Sequence, residues 1–109
     1  MTKTIDISGK LTNDRPVLKL AEGKEYPVDN RKNTVFEMQK HMEEYEGSDL
    51  DRVWIALSML LGEAAAKEID DMDLSFDGYQ TVFIAASAAA LGEEFEVVEA
   101  RFLAARKTV

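Results

Sequence analysis

The stretch of this chain that comes nearest to a metal site is Asp73-Leu74-Ser75-Phe76-Asp77-Gly78-Tyr79-Gln80-Thr81-Val82-Phe83-Ile84. Oxygen-bearing side chains at its first, third and fifth positions and a glycine at the sixth match the opening of a calcium-binding EF loop. The pattern then breaks. Ile84 stands at the twelfth position, where a bidentate glutamate completes the coordination sphere, and Gln80 at the eighth, where an apolar residue belongs. The segment is expected to be a polar turn in which Ser75 or Asp77 caps a following helix.

The other reactive residue types are as sparsely arranged. His41 is the sole histidine and there is no cysteine, so a nitrogen- and sulfur-rich zinc set cannot be assembled within one chain. Glu37 lies four residues before His41, but a di-iron bundle needs Glu-x-x-His and a second copy of it. His41 is expected to be solvated or to face a partner. Ser58 and Ser87 fall on predicted helices among apolar residues, without a nucleophile elbow or a base. The acid clusters Glu43-Glu44-Glu46, Asp70-Asp71-Asp73 and Glu93-Glu94-Glu96 read as solvated faces and helix starts. Nothing around them predicts the apolar pocket that raises one carboxyl of a catalytic pair. No catalytic, cofactor-binding or metal-binding residue is assigned, and the chain is expected not to be an enzyme.

Composition sets the frame for those residues. With 109 residues, 46% hydrophobic and 31% charged, the chain has the make-up of one globular domain, 1–109. Twenty-one acidic residues against 13 basic ones give a net charge of -8, which disfavours nucleic acid and anionic membranes as partners. The absence of cysteine fits a reducing cytoplasm. Residues 1–6 lack the apolar core of a signal peptide, and the small apolar stretch from Ile84 to Leu91 is shorter than the roughly 20 residues of a spanning helix. A cytoplasmic location is the expectation.

The expected fold is mainly α (α+β): an N-terminal β-hairpin or small antiparallel sheet in residues 1–30, then a bundle of about five short helices in residues 31–109. Ile5 and Ile7 alternate, and Val17-Leu18-Lys19-Leu20 and Tyr26-Pro27-Val28 flank Ala21-Glu22-Gly23-Lys24 as the arms of a hairpin. Pro27 cannot donate to a ladder, so its strand lies at an edge or ends there. From Asn33 the period changes to three and four, with Val35, Met38, Met42 and Tyr45 on one stripe and Asn30 or Asn33 as cap. Gly47 ends that helix, and Ser48-Asp49-Leu50-Asp51 caps a second one that runs to about Leu61. Its dense stripe of Leu50, Val53, Trp54, Leu57, Leu60 and Leu61 predicts the centre of the core, with Trp54 largely buried. Gly62 can end this helix in the left-handed conformation. A third helix spans Glu63 to about Asp71, and an alanine-rich fourth ends at Gly92. A fifth, Glu93 to about Lys107, carries Phe95, Val98, Phe102 and Ala105.

Met38, Met42, Met59 and Met72 serve either as ordinary core filling or as the adaptable floor of a groove for apolar helices. Five short helices and a hairpin carry more apolar stripe than one small core absorbs, which points to an oligomer interface or a client groove.

The order of elements has a further implication. A hairpin with Leu18-Lys19-Leu20 and Gly23-Lys24-Glu25-Tyr26-Pro27-Val28-Asp29 is followed by a helix. Ala56-Leu57-Ser58-Met59-Leu60-Leu61-Gly62 then leads to an acidic short helix before Leu74-Ser75. Over most of the chain this resembles the tail assembly chaperones of long-tailed bacteriophages and related prophages. The resemblance implies a non-catalytic, self-associating protein that coats the tape-measure protein and keeps it soluble until tail-tube subunits polymerise around it. On that reading the helices bearing Met38, Met42, Trp54 and Phe102 supply candidate client or self contacts. The alternative is a small acidic regulator that mimics DNA and occupies a basic groove. Lys and Arg interspersed among the acids argue against the ordered acidic rows such a mimic needs.

Overall fold

The computed structural model describes residues 2–11 and 14–107, with side chains as far as residue 104. A two-stranded antiparallel sheet, β1 (Val17–Ala21) and β2 (Lys24–Pro27), precedes five helices: α1 (Lys32–Glu44), α2 (Asp49–Leu61), α3 (Glu63–Asp71), α4 (Phe76–Leu91) and α5 (Phe95–Lys107). The expected hairpin followed by five helices is what the chain forms. The Ile5 and Ile7 alternation, however, belongs to no strand. Both side chains are exposed, and the only regular structure in residues 2–11 is one turn of 3-10 helix at Ser8–Lys10. Alternation makes a strand only where a partner strand completes the ladder.

Register in the hairpin pairs Val17 with Pro27, Leu18 with Tyr26 and Lys19 with Glu25, with a bulge between Lys19 and Ala21. Gly23 takes a positive φ in the turn, and β2 stops at Pro27, where the ladder loses its donor. Leu18, Leu20 and Tyr26 face inward and join the core, so the helices cover the sheet's apolar side. The base of the hairpin is tied twice: Val28 N–H donates to Pro16 O and Asp29 N–H to Leu60 O, both at 2.8 Å.

Helix starts follow their caps. Ser48 Oγ accepts from Asp51 N–H at the start of α2, and Ser75 Oγ from Gly78 N–H at the start of α4. Capping of α1 differs from expectation. Neither Asn30 nor Asn33 caps it; Arg31 occupies the cap position, and the Asp29 carboxylate accepts the Arg31 backbone N–H at 3.1 Å. Gly92 ends α4 in the left-handed conformation, whereas Gly62, between α2 and α3, combines φ 92 with ψ 153. That region is open almost only to glycine and lies outside the left-handed helical well.

The core gathers on α2, which packs against α1, α3 and α4. Its Ala56, Leu57 and Leu60 are buried together with Val28, Val35, Met38, Ile69, Phe83 and Ala86. A smaller cluster of Ile84, Ala88 and Val98 joins α4 to α5. The N-terminal half of the α2 stripe breaks the pattern: Leu50 is 55% exposed and Trp54 is half-buried. Trp54, expected to be largely buried, is only partly covered and takes no place among the buried core residues.

Candidate functional site

Two adjoining hollows open around the N-terminal half of α2. One, of about 510 Å³, is lined by Leu50, Asp51, Trp54, Asp70, Asp73, Leu74, Phe76 and Tyr79. The other, of about 630 Å³, is lined by Met42, Glu43, Asp49, Leu50, Arg52, Val53, Phe76, Tyr79, Gln80 and Phe102. Leu50, Phe76 and Tyr79 belong to both, so the hollows form one groove with a shared apolar ridge. Phe76 is 54% exposed and Leu74 is exposed beside it. Large apolar side chains held open to water and rimmed by polar ones are the usual mark of a protein-binding surface.

Each wall has a local cause. Ser48 and Ser75 start α2 and α4, and the apolar residues just after those caps, Leu50 and Phe76, fall on the first turns, where each is more than half exposed. The C-terminal end of α1 is locked to α2 by Arg52. Its Nη2 donates to Tyr45 O and its Nη1 to Asp49 Oδ1, both at 2.7 Å, and its own carbonyl accepts His41 Nε2–H at 3.0 Å. His41 is half-buried and bridges two helices, with its ring 4.9 Å from that of Tyr45. Met42 lies one residue on, and this lock fixes its place in the groove.

The rim is acidic. Asp51, Asp70 and Asp73 surround one hollow, and Glu43 and Asp49 flank the other, where Asp49 pairs with Arg52. Burial pushes the Tyr79 phenol above its ordinary pKa, and the Asp70 carboxylate adds to the shift. Tyr79 is therefore neutral where it lines the groove.

Of the four contact residues expected from the sequence, the fold brings three to this groove. Met42 and Phe102 line one hollow and Trp54 the other. Met38 does not join them: at 4% exposure it belongs to the core, in contact range of α2, and is unavailable to a partner in this conformation. Leu50, Leu74, Phe76 and Tyr79 were not among the expected contacts. Leu50 and Phe76 share a signal, an apolar residue placed within the first turn of a helix.

The calcium-like segment takes no loop form, since it is helical from Phe76 onward and Ser75 serves as the cap. Among the described residues no group of three or more His, Asp or Glu converges as a metal site. Ser87 is buried and its hydroxyl has no hydrogen-bond partner among the described residues, while Ser58 Oγ donates to Trp54 O at 2.9 Å. No helix among the described residues is long and apolar enough to cross a membrane. Comparison with protein-family models, curated proteins and solved structures finds no match to the chain.

Proposed function

We propose that this chain is a non-catalytic tail assembly chaperone of the long-tailed phage kind, acting in the host cytoplasm on the tape-measure protein. The observation that carries the reading is the open apolar groove of Met42, Leu50, Trp54, Phe76, Tyr79 and Phe102. A tape-measure protein exposes long apolar helical stripes until tail-tube subunits enclose it. A groove of this kind takes the apolar face of such a helix, with anchors at three and four residue steps. Its acidic rim selects helices whose apolar stripe is flanked by Lys and Arg, and the net charge of -8 keeps the complex dispersed.

The DNA-mimic alternative has less support. A mimic replaces phosphates with rows of acids, whereas here the acids border an apolar floor that a DNA-binding groove has no use for. Co-expression tests the choice. The chain should keep an otherwise insoluble tape-measure protein in the supernatant, and Phe76→Asp should abolish the rescue. A partner that stays insoluble, together with salt-sensitive capture of a basic DNA-binding protein, would overturn the proposal.

A further inference from the structure

The groove has a chemical complement in the same chain. Every residue from 2 to 11 is exposed, and three of them are large and apolar: Ile5 at 75%, Ile7 at 50% and Leu11 at 71%. Lys3 and Lys10 outweigh Asp6, so this arm is locally cationic in a strongly acidic chain. It is also partly shaped. The Asp6 carboxylate accepts from Ser8 N–H at 3.0 Å and from Ser8 Oγ at 2.7 Å, starting the 3-10 turn that separates Ile7 from Leu11.

The molecule measures 59 × 37 × 23 Å, and its radius of gyration of 15.9 Å exceeds the ~13 Å of a compact domain this long. No residue of the arm lines either hollow of its own chain. The hairpin on which the arm is rooted is hydrogen-bonded to Leu60, near the C-terminal end of α2. The groove is built around Leu50 at the other end, about 15 Å along the helix axis.

We propose that the arm of one copy docks in the acidic, apolar groove of a second copy. Ile5, Ile7 and Leu11 take the apolar floor, and Lys3 and Lys10 face the rim carboxylates of Asp51, Asp70 and Asp73. The charges select this arrangement over a groove-to-groove dimer, which would bring two acidic rims together. Arm into groove is a head-to-tail contact, so every added copy presents a new arm or a new groove. Rim electrostatics make the assembly salt-sensitive. The part of the proposal that concerns regulation rests on the groove being the client site: arm and client then compete, and assembly holds the groove covered until a client displaces the arm.

Sedimentation across a range of protein concentrations tests it, with an arm variant carrying Ile5→Ser, Ile7→Ser and Leu11→Ser and a groove variant carrying Phe76→Asp. Wild type should grow in mass with concentration and each variant alone should sediment as a monomer. Mixed, the two variants should form a one-to-one dimer and nothing larger, because only one intact arm and one intact groove remain. A second groove variant, Leu50→Asp, should repeat the pattern if Phe76→Asp disturbs folding. A monomeric wild type, an arm variant that assembles like wild type, or the absence of the mixed dimer would each overturn the proposal. Client rescue by a strictly monomeric wild type would remove the arm contact and keep the client reading; a mixed dimer without client rescue would do the reverse.

Discussion

Phe102 meets Phe83 edge to face, with ring centroids 6.2 Å apart and planes inclined at 63°. The pair joins α5 to α4 at the seam between the two core clusters, since Phe102 packs against both, and the other side of Phe102 walls the groove. One side chain therefore links the stability of α5 to the shape of the binding surface.

Replacing Phe102 by alanine should remove the edge-to-face contact and open a cavity at that seam. For a half-buried phenylalanine the expected loss is about 2 kcal/mol, below the range of fully buried ones. Urea denaturation measures it, and Phe102→Leu should recover most of the loss. A change under about 0.5 kcal/mol, the scale of an ordinary surface substitution, would show that α5 does not depend on this contact.

Gly62 carries a backbone requirement. Its N–H donates to Ser58 O at 2.8 Å and its carbonyl accepts Ala66 N–H at 3.0 Å, so both of its backbone groups are held while φ is 92 and ψ is 153. A Cβ at this position would meet nothing within 4 Å, which leaves conformational strain as the whole cost of Gly62→Ala. About 1–3 kcal/mol is expected, with a lower Tm in thermal unfolding. An unchanged Tm would mean that α2 and α3 meet in another geometry.

Asp29 gives the fold an acid-sensitive joint. Its carboxylate accepts from Arg31 Nε at 3.0 Å, Arg31 Nη2 at 2.8 Å and Thr34 Oγ1 at 2.8 Å. The bonds from the Arg31 guanidinium hold its pKa well below the usual carboxylate range, against the opposing effect of burial. A carboxyl depressed in the folded state stabilises the fold in full above its unfolded pKa of about 4, and that contribution is lost as pH falls toward the folded value. Asp29→Asn should be about 1 kcal/mol less stable than wild type at pH 7. The gap should narrow below about pH 4, as the wild type begins to lose the charge contribution that the asparagine lacks. A gap of constant size from pH 7 to pH 3 would refute the assignment.

Much of the architecture was legible because its punctuation is local. Ser48, Ser75 and Gly92 act within one turn of where they stand, and proline stops β2 through its own missing N–H. The groove was less legible for a physical reason. A helical period shows that Leu50, Trp54 and Leu57 share a face, but not how far along that face the neighbouring helices reach; Leu57 is buried and Leu50 is not. Met38 and Met42 illustrate the same limit. Four residues apart on one stripe, the first lies in the core and the second at the groove. Ile5 and Ile7 show it for strands, since alternation without a partner strand left an exposed arm.

The central claim is that the groove takes the apolar face of a client helix. Trp54, the single tryptophan, lines the groove and reports on its occupancy. The most direct measurement is titration of its fluorescence with a synthetic amphipathic helix from a tape-measure protein, its apolar stripe flanked by Lys and Arg. Wild type should give a saturable blue shift, and Phe76→Asp should weaken binding at least tenfold, a loss of about 1.4 kcal/mol or more. No saturable change, or equal affinity for wild type and Phe76→Asp, would contradict the account.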